Sequence, residues 1–312
     1  MSKKELFCKI ISVPFRILPL RIATFTFQKC RGLFSCELNS VLNEHVFAPY
    51  FKHCNQVCVA PTIDILIPVQ REMVLSLGDN QRIHFLGQHN EVAAFLLTRI
   101  SSRDVFIDVG ANCGLMTLVA SVKIPGDRVY CFEPNPEAFE ALKRNAELNH
   151  IKPSCFNLAL SDCNETCRLF IPDGDLGGGS FEAQNYRRRE LQRGEKPPTR
   201  FVKVQAKRLD DLVNTHELSL PQFFDRIVVK IDAEGHERAI VRGMRNFIRA
   251  HLRRIVILIE VYESEFDEVK QLFDKLGLAG SVIRPDGSPG ILKRPEKNCF
   301  KNYVFEVCSQ LN

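Results

Sequence analysis

The sequence predicts an α/β fold: a doubly wound, mainly parallel sheet that finishes in an antiparallel hairpin strand. Three observations predict it. Short apolar runs end in acids, at Asp108, Glu133 and Asp232. Amphipathic helical stretches separate these runs, so strand and helix alternate. Near the C-terminus, a Pro-Asp-Gly-Ser-Pro-Gly turn separates Ser281–Arg284 from Asn302–Val307, as in a hairpin. Ligands in such sheets bind outside the carboxyl ends of the strands, which is where the acids fall.

The 312 residues allow one large domain with an appendage, or two modest domains. A net charge of +5 is mild and does not demand a nucleic-acid partner. The 12 cysteines are scattered, and Cys113, Cys131 and Cys155 fall in strands or at strand ends. Buried reduced thiols behave as small hydrophobes, so a reducing, cytoplasmic setting fits better than a disulfide framework.

The first forty residues are basic and apolar, with Lys9, Arg16 and Arg21 interrupting the run and Pro14 and Pro19 breaking its helix. A secretory signal needs an uncharged apolar core of about 7–15 residues and a spanning helix about 20, so neither is expected. The segment reads as an element packed on the core, as a weak contact with an anionic membrane surface, or as a transit peptide. His45, His53, Cys54 and Cys58 mix metal-ligating types, but only Cys54 and Cys58 approach zinc spacing, and no metal is expected. Ile65–Val69, Met73–Leu77 and Arg82–Phe85 read as small antiparallel strands. Asn90-Glu91 then opens a helix through Ile100, with Val92, Phe95, Leu96 and Ile100 on one face.

The stretch from Val105 to Leu115 carries the central motif. Val105 to Val109 reads as a buried strand containing Asp108; Gly110 and Gly114 bracket a turn, and a helix starts at Leu115. Such glycines let the backbone approach a ligand closely. A dinucleotide fingerprint would place glycine where Asn112 and Met116 stand, and a phosphate-binding P-loop would need Lys-Ser/Thr where Leu115-Met116 stand. The spacing suits a ligand without a pyrophosphate, such as S-adenosylmethionine, and leaves a plain tight turn open.

Arg128–Phe132 forms the next strand and ends at Glu133, where an acid can accept both hydroxyl hydrogens of a ribose. Asn135 is a good N-cap, Pro136 suits the first helical position, and the helix runs to about Asn149. Ser154–Leu158 reads as a third strand, followed by Ala159-Leu160-Ser161-Asp162. Arg168–Ile171 and Phe201–Ala206 read as paired strands flanking an arginine-rich loop, Tyr186 to Arg200. That loop reads as a solvated surface segment or as a lid over an acidic substrate. Asp225–Ile231 is a fourth strand ending in Asp232-Ala233-Glu234-Gly235-His236-Glu237, and Ile255–Ile259 a fifth ending at Glu260.

Taken together, Asp-Val-Gly-Ala-Asn-Cys-Gly, Phe-Glu-Pro-Asn-Pro, Ala-Leu-Ser-Asp, Leu209-Asp210-Asp211-Leu212 and Val-Lys-Ile-Asp-Ala-Glu-Gly-His-Glu closely resemble the motifs of FkbM-type methyltransferases. These are class I S-adenosylmethionine-dependent enzymes with a Rossmann-like sheet. The resemblance covers roughly Glu91 to Val307. It implies a methyltransferase domain over 91–312 with an insertion at 167–208, preceded by a basic N-terminal extension over 1–90 with a small β-rich element. It also implies a cofactor pocket formed by Asp108, Gly110, Asn112 and Gly114 at the methionine part, Glu133 at the ribose, and Ala159 and Asp162 at the adenine.

Asp232, at the end of the fourth strand, is the first candidate for chemistry. His236 has the more suitable ordinary pKa but is expected one turn into the helix, and Glu260 is expected to line the same cleft. Glu234 and Glu237 read more simply as acids near a helix N-terminus. The implied reaction is O-methylation of a hydroxyl on a sugar, glycolipid or secondary metabolite, with a small-molecule or carbohydrate partner. Asp-Ala-Glu-Gly, in place of Asn/Asp-Pro-Pro-Tyr, favours oxygen over nitrogen. An RNA or protein methyltransferase, a nucleotide-binding oxidoreductase and a non-catalytic binding relative are the competing readings. No aromatic-interleaved motif accompanies the arginines, which disfavours nucleic acid.

Overall fold

The computed structural model describes residues 56–59, 71–74, 90–172, 178–181, 200–297 and 299–307. The basic N-terminal segment, the expected strands Ile65–Val69 and Arg82–Phe85, and the arginine-rich loop up to residue 199 lie outside the described residues. So do His45, His53 and Cys54. Strands β1 (Gln56–Val59) and β2 (Arg71–Val74) pair antiparallel, so the expected strand at Met73–Leu77 lies partly within β2.

Helix α1 (Asn90–Arg99) leads into β3 (Val105–Val109), α2 (Leu115–Ala120), β4 (Val129–Phe132), α3 (Pro136–Leu148) and β5 (Ser154–Phe156). Asn135 caps α3 as expected, its side chain accepting from the Glu137 N–H with Pro136 at the first turn. The chain returns to the same sheet with β9 (Ile227–Ile231) and β10 (Ile255–Tyr262), then β11 (Ala279–Ile283), β12 (Pro289–Gly290) and β13 (Phe300–Glu306). The eight strands lie in the order β12-β11-β13-β10-β9-β3-β4-β5. The five from β10 to β5 are parallel, and β13 inserts antiparallel between β10 and β11. The expected hairpin therefore closes the sheet.

Every residue of β3, β4 and β9 is buried, because helices cover both faces. Phe106, Val228 and Leu258 pack with Phe95, Leu96, Leu118 and Leu142 on one face. Ile107, Val229 and Ile257 pack on the other, against α4 (Leu209–Asn214), α5 (Glu237–Gly243), α6 (Arg245–Ala250) and α7 (Phe266–Leu276). Asp210 of α4 is buried, and its carboxylate accepts the Asn246 and Phe247 N–H groups at the start of α6. Cys113 and Cys131 are free and buried, as their strand positions suggested, and Cys155 is free and half-buried.

Several boundaries differ from expectation, three of them near the carboxyl edge of the sheet. The third strand stops at Phe156 rather than Leu158, because the Asn157 side chain turns back to donate to the carbonyls of Glu133 (2.9 Å) and Pro134 (3.2 Å). Residues 159–160 instead form β6 (Ala159–Leu160) in a second sheet, ordered β6-β8-β7, with β7 (Glu165–Ile171) antiparallel to β8 (Arg200–Lys207). The fifth strand runs on to Tyr262, so Glu260 lies inside it, opposite Asn302 of β13. His236 sits at the N-cap of α5, not one turn into it.

Candidate functional site

The sheet reverses its strand order between β3 and β9, and the carboxyl ends of these neighbours frame the crevice where doubly wound sheets bind ligands. Gly110 is wedged there. Its φ is +72°, and a Cβ on it would lie 1.9 Å from the Asp232 carbonyl oxygen, so only glycine fits. The N–H groups of Gly110 and Ala111 both donate to the Phe132 carbonyl, at 3.0 and 3.1 Å, and Asp232 N–H donates to the Val109 carbonyl at 3.1 Å. The ends of β3, β4 and β9 are thus joined through one turn. Asn112, at φ +51°, continues it, and Gly114 completes it at φ +89° with the Leu142 side chain beneath.

Asp108 and Lys230 face each other in register on β3 and β9. The Lys230 ammonium donates to the Gly110 carbonyl at 3.0 Å and lies 3.5 Å from Asp108 and 3.3 Å from Asp232. Burial opposes the charge on Lys230, but the two carboxylates outweigh it and raise the pKa. Asp108 is fully buried and also accepts from the Thr117 hydroxyl of α2 at 2.7 Å. A cation between two acids in so dry a place orients both side chains.

Glu133 is buried at the end of β4. Its Oε2 accepts from Asn112 N–H at 2.7 Å and its Oε1 from Asn135 N–H at 2.8 Å. Burial pushes its carboxyl up to about 7, against the pull of those two N–H groups and of Lys230. A carboxylate offers roughly four acceptor positions, so each oxygen keeps capacity for a further donor.

After β9 the chain turns through Asp232 to His236, with Glu234 at φ +54° and Gly235 at φ +96°. Glu237 holds this turn from within: its Oε1 accepts from Ala233 N–H at 2.8 Å and Gly235 N–H at 3.3 Å. Burial first, then the neighbouring Glu265, pushes its carboxyl up to about 8. Glu260 is buried beside them, and burial, followed by Asp232, Glu234 and Glu237, raises its pKa well above the usual carboxylate value. The His236 Nε2 lies 3.0 Å from the Ser161 hydroxyl, and its ring packs 4.8 Å from Phe181.

The structure therefore brings Asp108, Gly110, Asn112, Gly114 and Glu133 together around one crevice, with Asp232 and Glu260 linked to it electrostatically. Ala159 is buried in β6, and the half-exposed Asp162 lies 3.9 Å from the Arg242 guanidinium. Sequence reasoning passed over Lys230. The available signal was a lysine inside a strand otherwise composed of Ile and Val, which needs carboxylate partners when both faces are covered. It read Glu237 as an acid near a helix N-terminus, and the structure places it there, in the first turn of α5, but buried. Among the described residues, no three His, Cys, Asp or Glu side chains converge to hold a metal ion. No helix among them is long and apolar enough to cross a membrane.

Comparison with known proteins matches the chain to a family. A protein described as Methyltransferase 1 of Beauveria bassiana is 26% identical over 195 residues, which cover 60% of this chain and 77% of that protein. The 31-O-demethyl-FK506 methyltransferase FkbM of Streptomyces tacrolimicus is 30% identical over 183 residues, 54% of this chain and 70% of that one. The hexuronic acid methyltransferase AglP of Haloferax volcanii is 29% identical over 182 residues, 58% and 66% of the two chains. Residues 108–278, more than half of the chain, match the methyltransferase FkbM domain, beginning at Asp108 itself. The chain belongs to the FkbM methyltransferase family.

Proposed function

We propose that the chain is an S-adenosylmethionine-dependent methyltransferase that methylates a hydroxyl on a sugar, glycolipid or secondary metabolite. The observation that carries the donor assignment is Glu133. Its two oxygens are each fixed by one backbone N–H and each retain an acceptor position, the arrangement a ribose diol requires. The Gly110–Gly114 cradle fits the amino-acid end of the donor. The Asn112 Oδ1 is buried there without a hydrogen-bond partner among the described residues, as is the Asp108 Oδ1, which Lys230 approaches at 3.5 Å. Both are acceptors suited to an ammonium group. When bound, the donor supplies an electrophilic methyl group.

The residues of the chain would then bind and orient. Lys230 keeps Asp108 and Asp232 aligned, and Asp232, held at the lip of the crevice, is placed to accept a hydrogen bond from an incoming hydroxyl. Alignment accounts for most of the acceleration in an in-line displacement, and a positioned base adds roughly 10²–10⁴-fold. Preference for oxygen is supported by one relative, whose name specifies a 31-O position, and a sugar acceptor by another, named for a hexuronic acid.

Titration calorimetry with S-adenosylhomocysteine tests the donor assignment directly. Saturable binding that Glu133→Ala removes is expected. A folded chain that takes up no ligand overturns the reading.

A further inference from the structure

A second recess lies on the far side of the Asp232–Glu237 turn. One side of that turn presses its Asp232 carbonyl against Gly110, and the other ends at His236, which lines a cavity of about 290 Å³. The opposite wall is β7, with Thr166, Arg168 and Phe170 on one face and Glu165 and Cys167 beside them, and Ser161 and Phe181 complete the lining among the described residues. None of the lining residues belongs to the Gly110–Gly114 cradle or is Glu133, but Ser161 stands between Ala159 and Asp162, both expected at the adenine, so the recess adjoins the expected donor crevice across the turn.

The chemistry of the lining is specific. His236 and Ser161 form a hydrogen-bonded pair that can both donate and accept, and the Thr166 hydroxyl, which accepts from Gln205 Nε2 at 2.8 Å, keeps its own hydrogen to donate. Phe181 is braced by the imidazole ring, and Arg168 is held over the ring of Phe201 at 4.9 Å, which fixes its guanidinium at the rim. Aromatic plates with hydroxyl and imidazole groups around them suit a saturated ring that has an apolar face and a hydroxylated edge. The volume sits near the lower end of the roughly 300–1,000 Å³ typical of ligand pockets, enough for one ring and not for an extended chain.

We propose that this cavity is the acceptor subsite and that it holds a single hydroxylated ring, a glycosyl unit, stacked on Phe181 with its hydroxyls on His236, Ser161 and Thr166. The proposal deepens the methyltransferase reading and rests on it for the purpose of the site, but ring binding itself needs no methyl donor.

Saturation-transfer NMR on the full chain without donor tests it, using methyl β-D-glucopyranoside, methyl α-D-mannopyranoside and methyl β-D-galactopyranoside as probes and cyclohexanol as a ring lacking the polyol edge. At least one pyranoside is expected to bind where cyclohexanol does not. Phe181→Leu, which keeps apolar bulk but loses the plate, and His236→Gln, checked for folding by thermal melts, should each weaken it about fivefold. Affinity for S-adenosylhomocysteine, measured in parallel, should stay within about twofold. Pyranosides that fail to bind, or that bind both variants unchanged, overturn the acceptor subsite even if the donor analogue binds normally. Loss of donor affinity in both variants, with adenosine displacing the pyranoside, also overturns it by assigning the cavity to the adenine of the donor. Failure of the donor analogue alone would count against the methyltransferase reading, while the pyranoside result would still decide what the cavity holds.

Discussion

Two turns meet at the sheet's switch point, and they are built in opposite ways. The turn after β3 is made of backbone: Gly110 and Gly114 supply left-handed conformations, and the carbonyl of Phe132 gathers two of its N–H groups. The turn after β9 is made of side chains. Glu237 braces it from inside, Lys230 holds Asp232, and acids cluster around it. The first turn is fixed mainly by shape, with its Asn112 N–H resting on the Glu133 carboxylate. The second is fixed by charge, so proton uptake can tune it. A crevice that must hold one ligand tightly while admitting another is served by that division of labour.

The largest expected effect comes from breaking the backbone turn. Gly110→Ala drives a methyl group into the Asp232 carbonyl and strains a φ of +72°, at a cost of at least about 3 kcal/mol. Urea denaturation should register that loss, and calorimetry should find no donor-analogue binding. A variant with normal stability would show that the two turns are not in hard contact.

Next comes the link between the turns. Lys230→Met leaves Asp108 and Asp232 without their shared cation, and removing one partner of a buried ion pair costs about 3–5 kcal/mol. Denaturant midpoints read this, and a loss of less than about 1 kcal/mol would reduce the lysine to a surface-type pair.

The smallest effect sharpens the contrast through pH. The Glu237 carboxyl is raised from 4.5 to about 8 in the folded chain, so folding takes up a proton between these values. Stability therefore falls as pH rises from about 5 through 8. Glu133, raised to about 7, contributes with the same sign. Glu237→Gln keeps the acceptor for Ala233 and Gly235 but does not titrate, so its melting temperature should match wild type near pH 5 and decline less steeply toward pH 8.5. Parallel melting curves for the two proteins would remove the charge-based account of the second turn.

The difference between the turns also explains what could be read in advance. Glycine spacing after an apolar run is a local signal, so Asp108, Gly110 and Gly114 announced their turn, as Asn135-Pro136 announced α3. The alternation of strands and helices made the parallel sheet legible too. Lys230 and Glu237 did not announce themselves, because their roles depend on partners brought by β3 and by the elements packed around the turn, and no spacing along the chain encodes that. The strand expected over Ser154–Leu158 ends two residues early for a related reason. Its residues are apolar enough to continue, and only the Asn157 side chain, by capturing two carbonyls of the β4 end, turns the chain into another sheet.

Gly243, near the end of α5, carries a consequence of its own. A Cβ there would lie 1.8 Å from the Ser161 carbonyl oxygen, so the helix rests directly on the segment that leaves β6. The N-cap end of this helix presents His236 to the same Ser161 through its hydroxyl. Helix and segment are therefore clamped at two points, like a beam pinned at both ends. A tilt of the smaller sheet would carry α5 with it, so the spacing between His236 and Ser161 is kept as the two move together.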